Sequence, residues 1–94
     1  MPTDQSKVIA DNDRVRVTVW TFADGEATGD HRHEFDYVVV PITGGTFEVV
    51  EQSGASSEMT QEQATPYLGE KGTEHNVINR SGGTAVFVDV ELKG

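Results

Sequence analysis

Cysteine is absent from the 94 residues, which excludes disulfides, thiolate metal sites and cysteine nucleophiles together. Positive charge is scarce: seven Lys and Arg stand against sixteen Asp and Glu, a formal net charge of −9. Nucleic acids and anionic membranes both need a basic footprint, so neither is an expected partner. No apolar run approaches the roughly 18 residues of a membrane span, and Met1-Pro2-Thr3-Asp4 lacks the pattern of a secretory signal. The expected location is the cytoplasm. Leucine occurs only twice, against thirteen Val and ten Thr, and branching at Cβ suits a pleated sheet better than a helix. Only Glu58 to Ala64 has helix-forming composition, and it is short and lacks an apolar face.

What is present reads as strands. Arg14 to Phe22 alternates, with Val15, Val17 and Val19 on one face. Asp36 to Ile42 is apolar on both faces in its middle, and Gly44-Gly45 then turns the chain into Thr46 to Glu51 as a hairpin partner. Pro66 to Leu68, His75 to Asn79 and Thr84 to Leu92 complete the set, the last with Val86, Val88, Val90 and Leu92 on one face. Gln52 to Ser56, Gly69 to Thr73 and Arg80 to Gly83 read as turns or loops. Seven or eight short strands with no covering helix predict an all-β sandwich or barrel, one domain over residues 1–94 with residues 1–7 as a loose arm. A strand apolar on both sides needs cover on its outer face. In so small a chain a second copy supplies it most simply, so a homodimer is expected.

His31, His33 and His75 are the chain's three histidines. His31 and His33 stand at i and i+2, so on a strand both rings share a face with Cβ atoms about 6–7 Å apart, close enough to grip one ion. His75 on another strand could complete a facial triad. Imidazole suits Zn, Fe, Ni and Mn alike, so these ligands do not name the metal.

The stretch Gly25-x5-His31-x-His33-x3-Tyr37-x6-Gly44 resembles the first motif of the cupin superfamily, with Tyr37 where that pattern has a ligand Glu. The second cupin motif is matched at Gly72, His75 and Asn79 and missed at Ala64 and Glu70, where Gly and Pro are usual. A narrower resemblance, through Asp11 to Val17 and His31 to Pro41, is to small single-domain cupins, some catalogued as β-alanine degradation proteins. The resemblance implies a cupin double-stranded β-helix, a jelly-roll barrel, with His31, His33 and His75 at ligand positions for one divalent ion per chain.

The missing Glu implies a site of three neutral imidazoles, similar to that of three-His iron cupins. Glu34 and Asp36 are out of phase with His33 and point outward. Fe(II) is the favoured metal, with Zn, Ni or Mn as alternatives, and the favoured activity is a dioxygenase of a small chelating substrate such as a dicarbonyl. A non-redox isomerase, lyase or hydrolase, and a metabolite-binding module without catalysis, are the other readings. Tyr37 shares parity with His31 and His33 and is expected beside the metal, donating a hydrogen bond to substrate. Glu70, at the barrel mouth in the second motif, is a candidate acid/base group. Asn79, before the Arg80-to-Gly83 turn, is expected to bond backbone. Trp20, Phe22, Phe47 and Phe87 are expected mostly in the core, with one or two of them on the cavity wall.

Overall fold

The computed structural model describes residues 5–29 and 31–93. Among the described residues nine strands run in order: β1 (Ser6–Asp11), β2 (Val15–Phe22), β3 (His31–Arg32), β4 (Asp36–Pro41), β5 (Gly45–Glu51), β6 (Ser56–Gln61), β7 (Tyr67–Gly69), β8 (Glu74–Asn79) and β9 (Ala85–Leu92). Among the described residues no helix is long and apolar enough to cross a membrane. The strands form two sheets, β1-β2-β9-β4-β7 and β3-β8-β5-β6, paired antiparallel throughout. This is the all-β double-stranded β-helix that the motifs imply.

Buried Phe22, Tyr37, Val39, Phe47, Val77, Ala85 and Phe87 join the two sheets. Phe87 is the hub: its ring centroid lies 5.6 Å from that of Phe22 and 5.9 Å from that of Phe47, spacings at which aromatic pairs attract through their quadrupoles. Asn79 is fully buried yet satisfied, donating to the Phe22 and Gly83 carbonyls and accepting from the Ser81 amide, so it ties a turn as its position suggests.

Two expectations are corrected and one strand is added. Ser6 and Lys7, assigned to a loose arm, pair with Trp20 and Val19 in β1; residues 1–4 of that arm lie outside the described residues. Strand β6 is not read from the sequence: part of Glu58–Ala64, noted only for its helix-forming composition and too short for a helix, pairs with β5, which places Met59 and Gln61 on the buried side. The expected hairpin between Asp36–Ile42 and Thr46–Glu51 does not form. β4 pairs with β9 and β7, whereas β5 pairs with β6 and β8, so Gly44-Gly45 carries the chain from one sheet to the other. The amides of Ile42 and Thr43 are already bonded to the Val86 carbonyl, leaving the chain to cross rather than fold back.

The valine-rich faces turn outward. Inward on β2 and β9 point Thr18, Trp20, Phe22, Ala85, Phe87 and Asp89, while Val17 pairs with Val90, and Val88 with both Val19 and Val40, on the outside. Ile42, Leu68 and Leu92 are exposed large apolar side chains.

Candidate metal centre

Register brings the histidines together. His31 on β3 is directly opposite His75 on β8. His33 lies just beyond β3, where its amide donates to the Thr73 carbonyl and its own carbonyl accepts from Gly72. Gly72 makes that turn with φ +91, a left-handed conformation that glycine adopts without strain.

The side-chain nitrogens converge. His33 Nε2 lies 3.0 Å from His31 Nε2 and 3.3 Å from His75 Nε2, and ligand atoms of all three residues lie within 4.8 Å of one another. Two nitrogens each about 2.1 Å from one ion stand about 3.0 Å apart at a right angle and about 3.4 Å apart at a tetrahedral angle. The two short separations match that range. The rings meet edge to face at 69–87°, so three planes approach one point from different directions.

Proton placement supports the same reading. His31 Nδ1 lies 3.0 Å from the Gly29 carbonyl, which can only accept, so Nδ1 carries the proton and Nε2 presents its lone pair. Thr28 Oγ1 lies 3.1 Å from the same Nδ1 and accepts from the Val77 amide, fixing the ring from a second side. Burial first, then the neighbouring imidazoles, lowers His33 from 6.5 to about 4. Burial, with His31 beside it, does the same to His75. Both rings are neutral near pH 7, the form a metal needs. The donor set and its spacing are compatible with one divalent metal.

Tyr37 lies flat on His33, with ring centroids 3.8 Å apart and planes 18° from parallel. Burial pushes the phenol's pKa up from its ordinary 10, so the hydroxyl is neutral near pH 7. Tyr37 thus clamps the His33 ring from behind. Gly69 faces it across the β4–β7 ladder, and a Cβ there would overlap the Tyr37 ring. Gly69 has no positive φ, so its requirement is space alone.

Glu70 is not brought into the site. Its side chain is exposed and lies outside the cavity lining; its carbonyl accepts from the Thr73 amide and hydroxyl. Glu34 and Asp36 are exposed, and Asp36 accepts from the Lys71 amide.

The histidines line a cavity of about 170 Å³ between the sheets. Trp20, Val39, Val49, Met59, Val77 and Phe87 supply its apolar wall. Two polar residues on it were not anticipated. Asp89 is 7% exposed and Gln61 3% exposed, and Asp89 Oδ1 and Gln61 Oε1 have no hydrogen-bond partner among the described residues. Burial, with Glu91 adding repulsion, pushes Asp89 up from 3.8 to about 7. A lone acid between Val88 and Val90 was the available signal, but reading β9 by its valines directs attention to the opposite face.

A His-lined cavity between two antiparallel sheets of this topology defines a cupin-type barrel. No family model matches the chain. A search of curated proteins finds the β-alanine degradation protein BauB of Pseudomonas aeruginosa, 47% identical over 87 residues that span 92% of this chain and 90% of that protein. Among solved structures, a cupin domain from Bordetella pertussis Tohama I is 44% identical, covers 95% of this chain and 92% of its own, and superposes with a TM-score of 0.90. An RmlC-like cupin from Methanocaldococcus jannaschii, at 10% identity and a TM-score of 0.77 over 93% of this chain and 77% of its own, shares the fold alone. The chain belongs to the small cupins.

Proposed function

We propose that this chain is a metal-dependent cupin enzyme in which His31, His33 and His75 hold one divalent ion, Fe(II) by preference, and that it is a dioxygenase of a small chelating substrate such as a dicarbonyl. The convergence of three imidazole nitrogens, with Tyr37 instead of a carboxylate beside them, is the observation that carries this reading. The ion when bound would supply a Lewis acid for a pair of substrate oxygens and, as iron, one-electron chemistry with dioxygen. The protein adds no negative charge at the ligand shell, which leaves that role to an anionic chelate. His31 is oriented by Gly29 and Thr28, and His33 by Tyr37, so the nitrogens are preorganised. A cavity of about 170 Å³ is close to the size that admits benzene, which restricts the substrate to a few heavy atoms. The name of the Pseudomonas relative makes three-carbon products of β-alanine a sensible first panel.

Asp89 favours a second reading, a non-redox lyase, isomerase or hydrolase using Zn, Ni or Mn, because a carboxyl that titrates near neutrality is suited to proton transfer. Anaerobically purified protein should be analysed for metal and then screened with small dicarbonyls in an oxygen electrode. Stoichiometric oxygen uptake with Fe(II) is the expected result. Turnover with Zn and no oxygen uptake would select the second reading, and binding without turnover under either metal would reduce the chain to a binding module.

The same proposal includes a homodimer. The outer faces of β2, β9 and β4 present Val17, Val19, Val38, Val40, Val88 and Val90, uncharged residues on a chain whose net charge is −9. Two such chains meet with least repulsion on that face, which also removes a broad apolar patch from water. Sedimentation should give a mass near 20.4 kDa, twice the chain's 10.2 kDa. Val88→Lys should shift it to monomer while leaving the metal content unchanged. A wild-type monomer at micromolar concentration would refute the interface.

A further inference from the structure

The two unpartnered acceptors deep in the cavity set a chemical demand. Gln61 Nε2 donates to the Tyr67 hydroxyl at 3.0 Å, which turns the amide so that Oε1 is left free. Across the β4 ladders, Val39 is opposite both Tyr67 and Asp89, so Tyr67, Val39 and Asp89 lie in one row on the inner face. Tyr67 therefore stands by both acceptors: it bonds Gln61 and lies in the same cross-strand row as Asp89. A buried acceptor left unpaired costs about 1–3 kcal/mol, and a buried carboxylate costs more. Asp89 is the only acid among the described residues lining the cavity, and no Lys or Arg lines it to neutralise the charge. Nor does Asp89 belong to the cluster formed by the three histidines.

We propose that Asp89 and Gln61 form a recognition site for a nitrogen group carrying at least two N–H bonds, an ammonium by preference, on a part of the substrate other than its chelating oxygens. A hydroxyl offers one donor and could satisfy only one of the two oxygens, whereas an ammonium offers three and neutralises the carboxylate. Val39, Val49 and Val77 line the space with apolar surface suited to methylene groups. The substrate class is then a short chain with a chelating oxygen end and an amino end. This rests on the metal reading above only for the oxygen end.

The amine end can be tested without metal. EDTA-treated full-length protein is titrated calorimetrically with propylammonium, with 1-propanol as the isosteric control. Propylammonium should bind and propanol should not, and Asp89→Asn, which keeps shape and removes charge, should weaken the amine by about ten- to a hundredfold. Gln61→Met should weaken it by a smaller factor. Equal binding of amine and alcohol would overturn the site and leave the acceptors to a buried water. Amine binding that survives Asp89→Asn would assign it to the acidic surface and overturn the proposal equally. With metal restored, 4-aminobutyrate should bind more tightly than either propylammonium or butyrate. If metal brings no gain while the metal-free amine result stands, the metal reading fails and the amine site remains. Asp89→Asn should retain wild-type metal content; loss of metal would make Asp89 a ligand and refute the assignment.

Discussion

Protein loaded with a divalent metal should melt well above EDTA-treated protein, and His75→Ala should abolish the difference. An ion held at about 100 times its dissociation constant adds about 2.7 kcal/mol to stability. In a domain of this size each kcal/mol moves the melting temperature by about 4–8 °C, so the shift is on the order of 10 °C or more. The substitution has two parts to its effect. It deletes one of three converging nitrogens, and it removes a ring from contact with His31 and His33, so the metal-free variant is the necessary baseline. Equal response to EDTA in wild type and His75→Ala would refute the centre.

The metal-free protein should itself be acid-labile. His33 and His75 each have an ordinary value of 6.5 that falls to about 4 on folding, so between these values the unfolded chain binds more protons at both sites. Their penalty is absent above pH 6.5, grows as pH falls, and is complete below about 4. Asp89 acts in the opposite sense: rising from 3.8 to about 7, it costs stability as pH increases through that window. Two histidines against one carboxyl leave a net excess of one proton on the unfolded chain, so stability falls toward acid. Asp89→Asn should steepen that fall and raise stability at pH 7. Metal adds to the acid sensitivity, because protons compete for the same imidazoles.

The histidine cluster was legible because its geometry is local. The i, i+2 spacing of His31 and His33 fixes shared parity, and the glycine turn at Gly72, three residues upstream of His75, marks where the third ligand starts its strand. Six of the nine strands were legible for a related reason, since valine and threonine runs have few alternatives to a sheet. Sheet assignment was not. Gly44-Gly45 carries the same turn signal whether the chain folds back on its own sheet or crosses to the other, and only the bonds from Ile42 and Thr43 to Val86 decide it. Alternation likewise identifies two faces without saying which is inside. Here the smoother, valine-only faces are external, and the inner faces mix Phe87 and Trp20 with Thr18 and Asp89 because they enclose a polar-ended cavity. A cavity reverses the usual rule that the more uniformly apolar face is the buried one, and this is why Asp89 and Gln61 escaped notice.

Gly69→Ala should be among the most damaging single-methyl changes in the chain, although the residue carries no functional group. The added Cβ would be directed into the Tyr37 ring, which lies over Gly69 across the ladder and is itself stacked on His33. Overpacking of this kind costs about 1–3 kcal/mol, and the ring's escape route is blocked by the imidazole behind it. Displacement of Tyr37 therefore passes to His33 and to the 3.0 and 3.3 Å nitrogen separations that define the centre. Metal affinity should fall about ten- to a hundredfold, the usual scale when a ligand loses its supporting contact. Tyr37→Phe separates ring from hydroxyl. It keeps the stack on His33 and loses only the hydroxyl, so metal affinity should stay at the wild-type level. Tyr37→Ala removes the obstacle, at a cost in packing and in the clamp on His33. If the collision is the cause, adding Gly69→Ala to Tyr37→Ala should cost little more, giving a coupling energy of about 1–3 kcal/mol in a double-mutant cycle. If Gly69 matters only as a flexible strand residue, the two costs should add within about 0.5 kcal/mol and Gly69→Ala alone should leave metal affinity intact. Additivity with unchanged metal affinity would remove Gly69 and Tyr37 from the support of the centre.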